Sequence, residues 1–275
     1  MSDGIGTLAL VGGGVMGEAI VKRLLDLGIT TAAQVRVAEV SGPRRDALTA
    51  GYGFACTPDI ADASSGADTI LLAVKPQNMS DVFAACDGKL RANQLVVSIA
   101  AGVTLKTLTQ GLNHHAVVRV MPNTPAQTGQ GMSVWTAEPH VTEAQRATVQ
   151  QILAAVGDEL YVAGERYIDM ATAINGSGPA YVFLFIEALI DAGVHIGLPR
   201  DVAERLALQT VAGSAAYAKQ TGLHPAVLRN MVTSPGGTTT EALLALQQQA
   251  FPAAIISAVQ AAYEKSIALG RDQHA

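Results

Sequence analysis

Aromatic residues, charge and cysteine are all scarce in this chain, and each scarcity narrows what it can be. Of 275 residues only 15% are charged and 4% aromatic, while 49% are hydrophobic. Ala, Val, Leu and Ile must therefore fill the core, and so apolar a balance points to a surface partly hidden in an oligomer. Lys and Arg total 18 against 23 Asp and Glu, for a net charge of −5, with the two signs interspersed. Without a basic stripe no nucleic-acid partner is expected. The two cysteines, Cys56 and Cys86, have no metal-ligand spacing; they read as buried thiols, and no metal is expected. No charged segment leads into an apolar one at the start, so the sequence carries no secretory signal and reads as cytoplasmic. The stretch from Ala242 to Tyr263 is uncharged and long enough to span a bilayer. It contains Gln247, Gln248, Gln249 and Pro252, which are costly in lipid, so it reads as a buried helix pair broken at Pro252 and no membrane partner is expected.

What is present divides the chain in two. Up to about Gly164, short apolar runs alternate with amphipathic segments. "TLALVG" (7–12), "VRVAEV" (35–40), "DTILLAV" (68–74), "LVVSIA" (95–100) and "AVVRVMP" (116–122) read as strands, and "GMSVWTA" and "ELYV" extend the set. Apolar strands alternating with helices predict a mostly parallel sheet covered on both faces, an α/β Rossmann-type domain over residues 1–164. From residue 165 to 275 the strand pattern disappears. Helical segments bounded by Gly and Pro take over, predicting an all-α domain.

The first strand runs into Gly12-Gly13-Gly14-Val15-Met16-Gly17, a G-x-G-x-x-G that opens a helix. Gly12 permits the tight turn, Gly14 lets a pyrophosphate approach the backbone, and Gly17 lets helix and sheet pack closely. The N–H groups at the helix start then face the phosphates. Glu39, at the end of the second strand, stands where an acid bonds the ribose 2′-hydroxyl of NAD. Arg44 and Arg45 follow, and either can pair with the 2′-phosphate of NADP. The choice between NADH and NADPH stays open. "AVKP" (Ala73, Val74, Lys75, Pro76), the Ala100–Ala101 pair and Asn123 of "MPNTPA" close later strands, placing them on the rim of the same cleft.

In the helical half, "VTSPGGTTTEALLAL" (232–246) sets three threonines and two glycines at the start of a helix. Gly236 and Gly237 allow a sharp turn. The N–H groups of Thr238, Thr239 and Thr240 start the helix without partners, forming an anion site. The hydroxyls of Ser234, Thr238 and Thr239 add donors without adding charge. No Lys or Arg lies in the stretch, so it suits one small carboxylate and not a polyphosphate. Simple capping by a threonine accounts for one hydroxyl of the group.

These segments, with "SIAAGV", "NGSGPAYVF", "DAGVHIGLPR" and "LHPAVLRNMVTSPGGTTTEAL", make the chain resemble the pyrroline-5-carboxylate reductase family over essentially its full length. The resemblance implies NAD(P)H-dependent reduction of 1-pyrroline-5-carboxylate to L-proline, the last step of proline biosynthesis. It implies that the loop from Val232 to Thr239 (Val232, Ser234, Gly236, Gly237, Thr238, Thr239) binds substrate, with Thr239 hydrogen-bonded to the ring nitrogen. It also implies a helical domain that joins two copies in a homodimer, and a further assembly of five dimers into a decamer. Glu39 departs from the small hydroxyl residue common in the family, and Asn175 from its usual Ser. Two alternatives come from the residues alone: another two-domain NAD(P)-dependent imine or hydroxy-acid dehydrogenase, and a non-catalytic nucleotide-sensing dimer. A hydroxy-acid enzyme needs a basic residue such as Lys near its alcohol, and the helical half offers only Lys219 and Lys265, neither near the Gly-rich loops; the second has no need of the Thr cluster.

Overall fold

The structure is a computed structural model describing residues 4–272; the outermost residues of both expected domains, 1–3 and 273–275, lie outside it. Packing divides the chain into one unit of Met1–Ser177 with Ala262–Ala275, and a second of Gly178–Ala261.

The first unit is built on a sheet of eight strands: β1 (Leu8–Val11), β2 (Val35–Ala38), β3 (Ala55–Thr57), β4 (Thr69–Leu72), β5 (Leu95–Ser98), β6 (Val117–Met121), β7 (Gly131–Ala137) and β8 (Gly157–Tyr161). Their order is β3-β2-β1-β4-β5-β6-β7-β8. All neighbours are parallel except β6 and β7. Every residue of β1, β4 and β5 is buried, as a sheet covered on both faces requires. Alternation splits the core accordingly: Leu8, Leu10, Leu71 and Val97 pack with Ile20 and Leu24 on one side, while Ala9, Val11, Leu72 and Val96 pack with Val82 and Leu108 on the other.

The covering helices are α1 (Val15–Asp26), α2 (Gly42–Tyr52), α3 (Ile60–Ser64), α4 (Met79–Cys86), α5 (Leu105–Leu112), α6 (Glu143–Ala154) and α7 (Arg166–Ala171). β3 and α3 are absent from the sequence reading. A three-residue strand between Gly53 and Pro58 is too short for its alternation to show, and α3 is a single turn started by Asp59, whose carboxylate accepts from the N–H of Ala61 and Asp62.

The first unit also continues past Gly164, where strand patterning ends. Arg119, only 2% exposed on β6, donates to Glu165 and Asp169 at 2.8 Å each. Glu165 accepts from the N–H of Leu105 at the start of α5, and Asp169 from the hydroxyl of Ser266. These bonds tie α7 and the returning C-terminal segment to the sheet. A turn of π-helix, Thr172–Gly176, follows.

The second unit contains α8 (Gly178–His195), α9 (Arg200–Thr221), α10 (Pro225–Met231), α11 (Thr238–Gln248) and the first part of α12 (Phe251–Asp272). α8 and α9 approach closely because Gly193 faces Ala203; a Cβ on Gly193 would lie 2.9 Å from that of Ala203. The expected helix break is displaced. It falls at Gln249–Ala250, with Ala250 at φ 54, and Pro252 sits in the first turn of α12, where its missing N–H costs nothing. Nor is the pair buried within one chain: Leu244, Leu246, Ile255 and Ile256 are all exposed. Phe183 and Leu184 on α8 are 61% and 66% exposed. The run Arg166–His195 is apolar and long enough to cross a membrane by length and composition. So much uncovered apolar helix is a surface that needs a partner.

Candidate functional site

The strand order places the reversal between β1 and β4, and an open α/β sheet binds its ligand there, beyond the carboxyl ends of the strands. Gly12 follows β1 with φ +95, and a Cβ there would lie 2.9 Å from the backbone of Ala73. A Cβ on Gly17 would lie 2.6 Å from the carbonyl oxygen of Gly12. Both glycines are thus required by the fold. Gly14 is different: it is the N-cap of α1, has no side-chain cap bond, and a Cβ would meet nothing within 4 Å. Space and free N–H groups at the start of α1 are what a pyrophosphate uses. The fit to a dinucleotide rests on that opening.

Around it lies a cleft of about 350 Å³, lined by Gly12, Gly14, Glu39, Ala73, Val74 and Lys75 among others. Val40, which lines it, is 82% exposed, and Val15, the residue after Gly14, is 66% exposed. Val40, Pro58, Ile60, Asn78, Asp81 and Val82 also line it. The sequence reading missed these because Pro58 and Ile60 lie between β3 and the start of α3, and Asn78, Asp81 and Val82 in the turn before α4 and α4 itself, whose place in the cleft depends on the crossovers. Pro76 begins the short turn after Lys75, and Met16 faces the core.

Glu39 lies just beyond β2. Its carboxylate accepts from the N–H of Gly13 at 2.8 Å and from that of Ser41 at 2.9 Å. Arg44 is not free. Its Nε donates to the carbonyl of Gly13 at 2.6 Å and its Nη2 to Glu18, which also accepts from the Tyr52 hydroxyl at 2.8 Å. Burial works against ionisation of Glu18, but the bonds from Arg44 and Tyr52 outweigh it and hold its carboxyl below the usual range. Arg45 donates to the carbonyls of Glu39 and Val40.

Two rim positions differ from expectation. The side chain of Ala100 is buried in the core, so only its backbone can face the cleft; Ala101 is half-buried. Gly102 beside them packs on Leu269 of α12. Asn123 uses its side-chain carbonyl to accept from the N–H of Met132, pinning the loop to β7. Asn175 donates to the carbonyls of Met121 and Met132 at 3.0 Å each, so it braces the same loop from the π-helical turn.

In the second unit, the loop before α11 turns at Gly236, with φ +66. A Cβ on Gly237 would lie 2.4 Å from Ser234 Oγ and 3.1 Å from the Ser234 carbonyl oxygen, so a larger residue there would turn the Ser234 hydroxyl away. Gly237, not a threonine, is the N-cap of α11, and it makes no side-chain cap bond. Capping therefore leaves the threonines unexplained. Thr240 is not a free donor as expected: its N–H donates to the carbonyl of Gly237 and its hydroxyl to that of Ser234. Thr238 and Thr239 remain in the first turn, where N–H groups have no intrahelical acceptor. Among the described residues, the hydroxyls of Ser234, Thr238 and Thr239 have no hydrogen-bond partner. Val232 caps the end of α10 and is 68% exposed. His224, the histidine nearest the loop in sequence, caps α10 by accepting from the N–H of Ala226.

Known proteins match both halves. Residues 165–269 match the family model for pyrroline-5-carboxylate reductase dimerisation, and residues 7–102 that for NADP oxidoreductase, coenzyme F420-dependent. A pyrroline-5-carboxylate reductase of Synechocystis sp. is 46% identical over 96% of this chain and 98% of the relative. The chain belongs to the pyrroline-5-carboxylate reductase family. The Escherichia coli member is 40% identical over 96% of this chain and 98% of its own length. The crystal structure of the Plasmodium falciparum member with NADP bound superposes with a TM-score of 0.87 at 32% identity, covering 96% of this chain and 98% of that one. Family membership accounts for the uncovered apolar helices, since the helical half matches a dimerisation domain.

Proposed function

We infer that this chain reduces 1-pyrroline-5-carboxylate to L-proline with NADH or NADPH, the final step of proline synthesis. The observation that carries the reading is the loop from Ser234 to Thr239, an uncharged turn with no side-chain cap, in which the hydroxyls of Ser234, Thr238 and Thr239 have no partner among the described residues. Such a nest fits one small carboxylate. The N–H groups of Thr238 and Thr239 and the Ser234 hydroxyl hold that carboxylate. The Thr239 hydroxyl orients the ring nitrogen. Gly12 to Gly17, Glu39, the Ala73–Pro76 turn, the Ala100–Ala101 backbone and Asn123 position the dinucleotide. When bound, the reduced nicotinamide supplies hydride to the C=N carbon. The proton arrives with the iminium or from water passing Thr239, for no His, Asp or Glu stands on the loop itself. A cytoplasmic location goes with dependence on an intracellular cofactor. The exposed α8 and the dimerisation match support a homodimer, with five dimers forming a decamer as the larger assembly.

Oxidation of NADH and of NADPH with 1-pyrroline-5-carboxylate, with proline as the measured product, tests the activity. Turnover with neither, despite cofactor binding, refutes it. Thr239→Val is expected to lower kcat, and unchanged turnover removes that residue from the mechanism.

A further inference from the structure

The backbone of Gly13 is gripped from both sides. Glu39 accepts its N–H and Arg44 donates to its carbonyl. The two side chains of opposite charge therefore flank one point, next to where the cleft begins. For a nucleotide in this cleft they have opposite consequences. A carboxylate accepts from a ribose 2′-hydroxyl and repels a 2′-phosphate, whereas a guanidinium pairs with the phosphate. Glu39 keeps acceptor capacity beyond its bonds to Gly13 and Ser41, because each carboxylate oxygen has two lone pairs. Arg44 is turned to α1 by Glu18, and Tyr52 fixes Glu18 by donating to its other oxygen. Arg45 is spent on the carbonyls of Glu39 and Val40. The remaining charged groups lining the cleft, Lys75 and Asp81, offset one another.

We propose that Glu18, fixed by Tyr52, is a positioning residue that withholds Arg44 from a 2′-phosphate, so that this cleft selects the nucleotide with a free 2′-hydroxyl. Cofactor preference is then set from α1 and α2, by a pair that need not touch the cofactor, and the preferred reductant is NADH. The proposal rests on the nucleotide reading of the cleft.

The test is calorimetric binding of adenosine 5′-phosphate and adenosine 2′,5′-bisphosphate to the full chain. The wild type is expected to prefer the monophosphate. Glu18→Gln removes the charge that holds Nη2 of Arg44 while leaving Nε on the Gly13 carbonyl, and since one new charge-assisted bond is about a tenfold effect, affinity for the bisphosphate should rise up to about tenfold while that for the monophosphate stays within about twofold. Adding Arg44→Met to Glu18→Gln should abolish the gain. Tyr52→Phe, which loosens Glu18 without removing its charge, should move the ratio the same way by about two- to threefold. In turnover the NADPH-to-NADH ratio of KM should fall in Glu18→Gln with little change in kcat, a split that general destabilisation does not produce. A ratio unchanged in both Glu18→Gln and Tyr52→Phe overturns the proposal. So does a gain that survives in the double variant, which would mean that only charge was removed. Failure of the wild type to bind either nucleotide defeats both the cleft reading and the proposal. Selective binding without proline formation leaves the proposal standing and removes the reductase reading alone.

Discussion

The phosphate loop separates glycines that the fold needs from one that the ligand needs, and Gly14→Ala is the perturbation that tells them apart. A methyl at Gly14 meets no atom within 4 Å, and the residue's φ of −71 suits alanine. Alanine is a poorer N-cap than glycine, at a cost of about 0.5–1 kcal/mol. It also restricts the unfolded chain, which returns about 0.4–1 kcal/mol. The two nearly cancel, so Tm should move by no more than about 2 °C. Gly12→Ala is the contrast. Its φ of +95 and the 2.9 Å contact with Ala73 combine backbone strain with overpacking. Together these cost roughly 2–6 kcal/mol, and Tm should fall by several degrees or more. In binding the order reverses. The Gly14 methyl fills the space for a pyrophosphate oxygen and costs at least one charge-assisted bond, so dinucleotide affinity should drop about 10- to 150-fold in a protein of normal stability. Thermal melting and cofactor titration on the same samples read both quantities. Wild-type affinity in Gly14→Ala would refute the assignment of that opening to the phosphates, and a large loss of Tm would refute the claim that it is empty.

Gly237→Ala brings a methyl to 2.4 Å from Ser234 Oγ, so that hydroxyl must turn away from the carboxylate; losing one hydrogen bond should raise substrate KM about two- to tenfold while cofactor affinity is unchanged, as steady-state kinetics and titration will show. Arg119→Met leaves Glu165 and Asp169 without their cation and should cost about 3–5 kcal/mol, lowering Tm by roughly 6–20 °C in a melt at neutral pH. The backbone N–H of Thr7, with its hydroxyl, holds the Asp68 carboxyl below its ordinary value of 3.8. A depressed folded value stabilises above the unfolded one and is lost as pH falls through it, so Asp68→Asn should flatten the acid limb of stability below about pH 4, and a melt series in pH that keeps the wild-type slope would contradict this.

Particular residues show how far the sequence reaches. Strands β1, β4 and β5 are almost wholly apolar, β6 is so apart from Arg119, and G-x-G-x-x-G between a strand and a helix has few uses, so the sheet and its glycine-rich loop are written locally. The Ser234–Thr239 loop is equally local, because its glycines and hydroxyls are adjacent in the chain. Glu39 could be placed because it ends a strand whose neighbour is known. The states of Arg44 and Asn123 could not. Each is decided by a partner outside its own segment, Glu18 on α1 for one and the N–H of Met132 on β7 for the other. The burial of Ala100 and the extension of the first unit to Ser177 through Arg119 belong to the same class. Periodicity and turn chemistry are short-range and can be read from one strand of text. Which donor meets which acceptor depends on crossovers that bring distant segments together, and in this protein that pairing decides that Arg44 is held by the Gly13 carbonyl and Glu18.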